Sequence, residues 1–503
     1  MDTMDQSPTA QPQSGQSRTL THAEIRTIIL GVMLSMFLAA LDQTIIATAL
    51  PTIGRELGDL EHLSWIVTVY LLTSTAVTPL YGKFSDSYGR RVTMLIGIVI
   101  FILGSIACAL APTMFVLILA RGLQGLGGGG LIALAQTIIA DIVAPRERGR
   151  YQVYFASVFM TSSLLGPVLG GFFAEHLHWS VIFWINLPLG LIALAIAFHS
   201  LKKLPRFERR HQLDLLGAFL LMAATVALLL ALSWGGIRHP WGSPQVLGLI
   251  AGSFVLWGLF ALRMKLAPEP LIPPSVLHNP VVRMATLCAC FGMGTYIGLT
   301  IYLPVYFEAV RGLSASQSGL SLIPLMAGTV VGATLSGRSM AKVKHYKRLP
   351  TAGLLVAMVT TGVLAAFGQS LSLVAVEIIL GIISMGLGTV LPVTMVTTQN
   401  AVAPHQMGTA TGTANFFRSL GGAFIVAIFG AIVLAGSGLS GATGFESLSA
   451  VAAQSGVNLA DVFSYVFIAA VVGFGLALAF LLALEERPLR GGAIKAAEAA
   501  VAD

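Results

Sequence analysis

Fourteen separate stretches of this sequence stay apolar for about 20 residues, the length at which a helix crosses the roughly 30 Å hydrocarbon core of a bilayer. They run near 27–50, 65–82, 92–111, 114–140, 151–174, 180–200, 214–234, 246–262, 284–306, 318–337, 350–368, 372–398, 408–434 and 461–484. Within hydrocarbon every backbone N–H and C=O must be paired inside the protein, so only helices or closed barrels cross. A barrel needs segments of about ten residues with alternating polarity, and this chain has none. The expectation is an all-α membrane protein with fourteen transmembrane helices. Composition agrees, because 55% of the residues are hydrophobic and 10% charged, whereas a soluble domain carries about 25% charged residues.

Charge placement gives the expected orientation. With the N-terminus in the cytoplasm, three of the 29 Lys and Arg fall outside (Arg55, Arg238, Arg311) and two lie within helices (Arg121, Arg418). The rest are cytoplasmic. This asymmetry is the positive-inside rule, and moving the helix count by one would destroy it. The net charge of +7 therefore reflects topology, and no nucleic-acid partner is expected. Residues 1–20 are polar and lack the apolar core of a signal peptide, so 1–24 and 485–503 are expected to be disordered cytoplasmic tails. The chain is expected in the cell inner (cytoplasmic) membrane, multi-pass, with both termini inside.

Other chemistries find little support. Cys108, Cys288 and Cys290 lie in apolar stretches, and two residues apart on a helix point to different faces. Neither a disulfide framework nor a metal site is expected, and no cofactor. No Gly-rich loop ending in Gly-Lys-Ser/Thr is present, so nothing argues for ATP drive. The chain is not expected to be an enzyme.

The sequence also repeats itself. Residues 143–149, VAPRERG, match 402–408, VAPHQMG, and Gly-Leu-Gly at 125–127 recurs at 386–388 with nearly the same offset. Two parallel halves with the substrate held between them are a recurrent transporter plan. The expected organisation is a six-helix bundle at 25–205, two inserted helices at 206–265 and a second six-helix bundle at 266–484.

Four motifs then carry a resemblance. Leu41-Asp42-Gln43-Thr44-Ile45 leads to Ala49-Leu50-Pro51 in the first helix. An aspartate in mid-membrane costs at least about 2.5–3.5 kcal/mol if charged, which suggests a task, and a carboxylate that gains and loses a proton is what proton coupling needs. Gly82-Lys83-Phe84-Ser85-Asp86-Ser87-Tyr88-Gly89-Arg90-Arg91 forms the loop between helices 2 and 3. Its glycines permit a tight turn. Asp86 can accept hydrogen bonds from a helix N-terminus, and Arg90 and Arg91 can pair with Asp141. The matching loop of the second half begins at Gly337-Arg338 but has Ala341 opposite Asp86 and Lys344 opposite Gly89. Arg121-Gly122-Leu123-Gln124-Gly125 places an arginine in helix 4 that stays charged and can stabilise a neighbouring carboxylate until the helices move. Gly166-Pro167-Val168-Leu169-Gly170-Gly171 in helix 5 promises a kink and a groove for close packing.

Together these resemble the motifs of the major facilitator superfamily, and within it the fourteen-helix drug:proton antiporters. Trp184-Ile185-Asn186-Leu187-Pro188-Leu189-Gly190 resembles a run of that branch. The resemblance implies a major facilitator fold, proton coupling through Asp42 and Arg121, and a conformational latch of Gly82, Asp86, Gly89, Arg90, Arg91 and Asp141. The helix-5 run resembles one associated with antiporters, although Ser162 stands where a glycine is usual. Tyr70, Gln124, Tyr154, Tyr296, Asn415 and Phe416 are candidates for an apolar substrate cavity, and Glu377 is a second acidic candidate. Whether Glu377 and Arg418 face that cavity stays open here. The implied function is a proton-coupled multidrug exporter of amphipathic or hydrophobic small molecules, working as a monomer by alternating access. Export of a lipid or lipoconjugate, and proton symport of a nutrient, are the alternatives.

Overall fold

The structure, a computed structural model, describes residues 22–59, 62–204, 214–343, 345–437 and 458–489. Among them fourteen helices are long and apolar enough to cross a membrane. In chain order they are α1 (Glu24–Leu57), α2 (Leu63–Tyr88), α3 (Arg90–Ala109), α4 (Met114–Ile142), α5 (Pro145–His176), α6 (Val181–Ser200) and α7 (Leu215–Trp234). They continue as α8 (Pro244–Leu266), α9 (Pro280–Ala309), α10 (Ser316–Met340), α11 (Arg348–Phe367), α12 (Leu373–Asn400), α13 (Pro404–Gly436) and α14 (Leu459–Ala483). Residues 1–21, 205–213 and 490–503, which hold most of both expected tails and the start of the expected insert, lie outside the described residues.

Helix ends follow local chemistry. Thr113, Ser243, Asn279, Ser372 and Asn458 each sit just before a helix and accept from one of its first backbone N–H groups. Each such cap is worth about 1 kcal/mol. Gly89 joins α2 to α3 at φ 91°, a conformation that side chains with a Cβ avoid.

Two helices are broken in the middle. The helix Met114–Gly128 stops and resumes as Leu131–Ile142, and Leu373–Gly388 resumes as Val390–Asn400. Both breaks follow the repeated Gly-Leu-Gly. A Cβ on Gly127 would collide with the Phe101 backbone of α3, and one on Gly388 with the Thr329 backbone of α10. The repeat is thus a packing device that lets α4 and α12 lie against their neighbours backbone to backbone.

Helices α1–α6 pack into one bundle and α9–α14 into another. The first has cores around Met36, Ile98 and Leu134 and around Ile45, Ile182 and Phe183. The second is centred on Tyr306, Leu380, Phe463 and Phe467. Helices α7 and α8 form a hairpin closed by Asp214, which accepts from Gly217 N at 2.9 Å and pairs with Arg263 Nε at 2.9 Å. The hairpin leans on α2 and α13, where Leu221 and Phe260 pack with Phe416 and Leu80. Trp65 of α2 and Trp234 of α7 meet edge to face at 5.8 Å. Lys83, Arg90, Arg91, Arg148, Arg150, Arg338, Lys342 and Arg348 all lie at one end of the molecule, called the basic end below.

Candidate functional site

The first bundle encloses a polar cluster midway along its helices. Asp42 of α1 accepts from Arg121 Nη1 of α4 at 2.6 Å through Oδ2. Its Oδ1 accepts from Gln124 Nε2 at 2.8 Å and from Asn186 Nδ2 of α6 at 3.0 Å. Gln124 Oε1 accepts from the same Arg121 Nη1 at 2.6 Å, and Ser105 Oγ of α3 accepts from both amides at 2.8 and 3.3 Å. Arg121 Nε donates to the Ile66 carbonyl at 3.1 Å, and its guanidinium lies 4.3 Å from the Tyr70 ring centre. Asp42, Gln124 and Asn186 are wholly buried, and Arg121 is 1% exposed. Five of the bundle's helices therefore meet on one ion pair held out of water.

Close packing positions this cluster. A Cβ on Gly104 would fall 2.5 Å from Gln124 Cα, and one on Gly125 would meet the Tyr70 carbonyl at 2.7 Å. Gly166 and Gly170 of α5 have Thr44 and Ile45 of α1 where a Cβ would stand, and Thr44 Oγ1 donates to the Ser162 carbonyl at 2.8 Å. Gly171 has open space at that place. Two glycines of the helix-5 run thus seat α1, which carries Asp42, and the third does not.

A second cluster lies where the bundles meet at the basic end. Asp86 Oδ1 accepts from Arg90 Nη1 and from Gly408 N at 2.9 Å, and Oδ2 accepts from Thr409 N and Thr409 Oγ1, both at 2.7 Å. Arg90 Nε also donates to Asp141 Oδ2 at 2.8 Å. Gly408 and Thr409 open the long helical run of α13, so a carboxylate of one bundle meets a helix N-terminus of the other. Below this contact Gly82 faces Gly408, with Gly408 O 2.5 Å from where a Gly82 Cβ would be. The internal repeat returns the same arrangement across α5 and α10, where a Cβ on Gly337 would collide with the Gly149 carbonyl. Between the two seams Asn415 Nδ2 donates to Gln136 Oε1 at 2.6 Å and Gln399 Nε2 to Gln136 O at 3.4 Å.

The family model described as the Major Facilitator Superfamily matches residues 32–426. The chain belongs to that superfamily. It is a multi-pass membrane transporter and not an enzyme. It is 33% identical to the multidrug transporter protein MdtP of Bacillus subtilis over 82% of this chain and 76% of that protein. It is also 33% identical to multidrug resistance protein 3 of the same organism, over 82% of this chain and 80% of that one. Its architecture is similar to that of the proton:xylose symporter XylE bound to 6-bromo-6-deoxy-D-glucose. The TM-score is 0.62 at 15% identity, covering 93% of this chain and 98% of that one, a likeness of fold alone.

In this transporter the remaining sequence candidates are scattered. Arg91 does not reach Asp141. Its guanidinium lies 4.6 Å from the Phe198 ring centre, because the next residue along a helix points about 100° away from Arg90. Tyr70 and Gln124 belong to the Asp42 cluster, and Asn415 to the bridge between bundles. Phe416 is buried against Trp257 of the inserted hairpin at 6.1 Å, so it packs between α13 and the insert and not in a central cavity. Tyr154 is half exposed at the basic end of α5, and Tyr296 packs against the core of the second bundle. Glu377 is partly buried near the start of α12 and makes no hydrogen bond or ion pair among the described residues. Several residues that the structure brings in are not among the sequence candidates: Ser105 and Asn186 in the Asp42 cluster, Gly408 and Thr409 on Asp86, and Gln136 and Gln399 in the bridge between the bundles. Asn186 and Gln136 carry a visible signal, an amide inside an apolar run.

Proposed function

We propose that this transporter is a proton-coupled exporter of amphipathic small molecules, in which the Asp42–Arg121 pair carries the coupling. The observation behind this reading is that both charges are fully buried and paired. Desolvating two ions costs several kcal/mol each, and a well-packed apolar pair would fill the space at no such cost. A proton arriving on Asp42 cancels one partner and leaves Arg121 buried without its counter-charge, a change of about 3–5 kcal/mol. A proton moving down 100 mV supplies about 2.3 kcal/mol. The two are of one order, as a coupling device requires.

Export is supported by the names of the relatives and by the Gly166–Gly171 run, whose resemblance is to antiporters. Assigning the basic end to the cytoplasm, as the positive-inside rule asks, makes the closed seams a cytoplasmic gate and the described state outward-facing. Asp86, Arg90 and Asp141 are then its latch, and opening alternates with rocking of the bundles 25–205 and 266–484. The test is uptake of ethidium, an amphipathic cation, into proteoliposomes against its gradient under an imposed pH difference. Uphill transport by the wild type that collapses with the proton gradient is expected. Transport that ignores the gradient would sink the reading.

Export of a lipid-like molecule is the second reading. An apolar crevice of about 180 Å³ between α7, α9 and α13, lined by Leu228, Leu232, Phe291, Phe417 and Phe424, favours substrates arriving from the bilayer. Competition of ethidium transport by long-chain but not short-chain lipid analogues would favour it.

A further inference from the structure

We propose that an anionic phospholipid headgroup binds the cleft between α5 and α10 at the basic end and clamps that seam shut. The cleft, of about 470 Å³, is lined by Arg150, Val153 and Tyr154 of α5 and by Thr334, Arg338 and, just past the end of α10, Lys342. Three cations converge there from both bundles. None of the three side chains makes an ion pair or hydrogen bond among the described residues, and Glu147, one turn from Arg150, makes no ion pair with it.

The internal repeat says what is missing. Gly82 corresponds to Gly337 and Gly408 to Gly149, so the two glycine seams are copies of one arrangement. At the first seam the anion is built in, because Asp86 reaches across to Gly408 and Thr409. At the second, Ala341 stands opposite Asp86 and Arg150 opposite Thr409. The carboxylate has gone and a cation has been added. An external anion restores the balance, and a phosphate can bridge Arg150 on one bundle to Arg338 and Lys342 on the other.

The surroundings select a lipid over a free anion. The first seam is covered on its membrane side by the α7–α8 hairpin, with Leu80 and Phe416 packed beneath it. Among the described residues, the α7–α8 hairpin packs on α2 and α13 and no comparable cover lies on α5 or α10. Leu335 and Val331, one and two turns from Arg338 toward the membrane interior, are 46% and 47% exposed. A headgroup in the cleft therefore has an apolar wall along which its chains can lie, and basic pockets between membrane helices are a known mode of headgroup capture. Opening the basic end carries Arg150 away from Arg338 and Lys342, so the lipid binds the closed state more tightly and shifts the equilibrium toward it.

The experiment uses the full chain with its three cysteines replaced and spin labels at Arg146→Cys and Val343→Cys, one on each side of the seam. In nanodiscs, phosphatidylglycerol at about 30% in phosphatidylcholine should raise the ratio of short to long distances by about fivefold per engaged cation. Arg338→Gln with Lys342→Gln, and separately Arg150→Gln, should lose most of that gain. Ala341→Asp should close the seam in phosphatidylcholine alone. Native mass spectrometry of detergent-purified protein should find phosphatidylglycerol retained by the wild type and lost from the double variant. Equal distance distributions in the two lipids would overturn the proposal, and so would a lipid effect that survives in the double variant. Inorganic phosphate reproducing the phosphatidylglycerol effect would overturn the assignment to a lipid.

Discussion

Replacing Gly82 by alanine should unlock the basic end. The new Cβ would lie 2.5 Å from the Gly408 carbonyl oxygen and 3.0 Å from its carbon. A carbon tolerates an oxygen at about 3.3 Å, and both obstructing atoms are backbone, so α2 and α13 must part by roughly 0.8 Å. The same displacement takes Asp86 away from its partners. Its contacts with Thr409 N at 2.7 Å and Gly408 N at 2.9 Å would stretch to about 3.5 and 3.7 Å, beyond the limit of about 3.2 Å for a good bond. Hydrogen bonds to a charged group contribute about 1.5–3 kcal/mol each, so losing two disfavours the closed state by roughly 3–6 kcal/mol. At 1.4 kcal/mol per decade the closed-to-open ratio falls at least about 100-fold. Distances between spin labels at positions 146 and 343 read this directly, and the Gly82→Ala protein should populate the long distance. Gly171→Ala, whose Cβ would enter open space, is the matched control. A wild-type distance distribution in Gly82→Ala, or an equal shift in the control, would refute the reasoning.

Asp42→Asn keeps the shape of the cluster but removes its titratable charge. Gradient-driven uphill transport should vanish while binding of neutral substrates persists, and retained uphill transport in proteoliposomes would shift attention to Glu377. Asp86→Asn should open the basic end by about tenfold or more, since a neutral acceptor forfeits part of four bonds, with unchanged expression in membranes. Gly170→Ala should lower thermal stability by about 1–3 kcal/mol through overpacking against Ile45, whereas Gly171→Ala should leave the melting temperature unmoved. For topology, an impermeant maleimide on intact cells should label Ser370→Cys and spare Arg146→Cys in a cysteine-free background. The reverse pattern would invert the assignment of the basic end.

The bilayer made the helix count readable, because only long apolar runs can cross it. Helix ends were less readable where a helix outlasts its apolar part. Helix α5 starts at Pro145, ahead of the expected 151, and α1 continues through Pro51 to Leu57. The polar turns there lie outside the apolar run that hydropathy detects. The interruptions of α4 and α12 were not legible, since a Gly-Leu-Gly run has the composition of an ordinary close-packing stripe. Within the Asp42 cluster, Asp42 and Arg121 stood out because charge in hydrocarbon is costly. In the sequence Asn186 reads as one letter of a branch signature, although it lies 3.0 Å from Asp42. An uncharged amide costs little enough to pass as packing, and only the fold shows what it touches. Arg90 and Arg91 are equivalent as letters, and only the helix phase sends one to Asp141 and the other over Phe198.

The four glycines that hold the bundles together at the basic end meet through main chain, Gly82 on Gly408 and Gly337 on Gly149. Such a contact has no side chain that evolution can exchange for another. Drift at these positions runs in one direction, toward a looser gate. The walls facing the cargo are under no such constraint, so recognition can change residue by residue while closure stays fixed. Gain of new cargo and loss of gating are thereby separable at the genetic level. Selection for altered cargo range should spare these four codons, and inactivating alleles that still reach the membrane should be enriched in them.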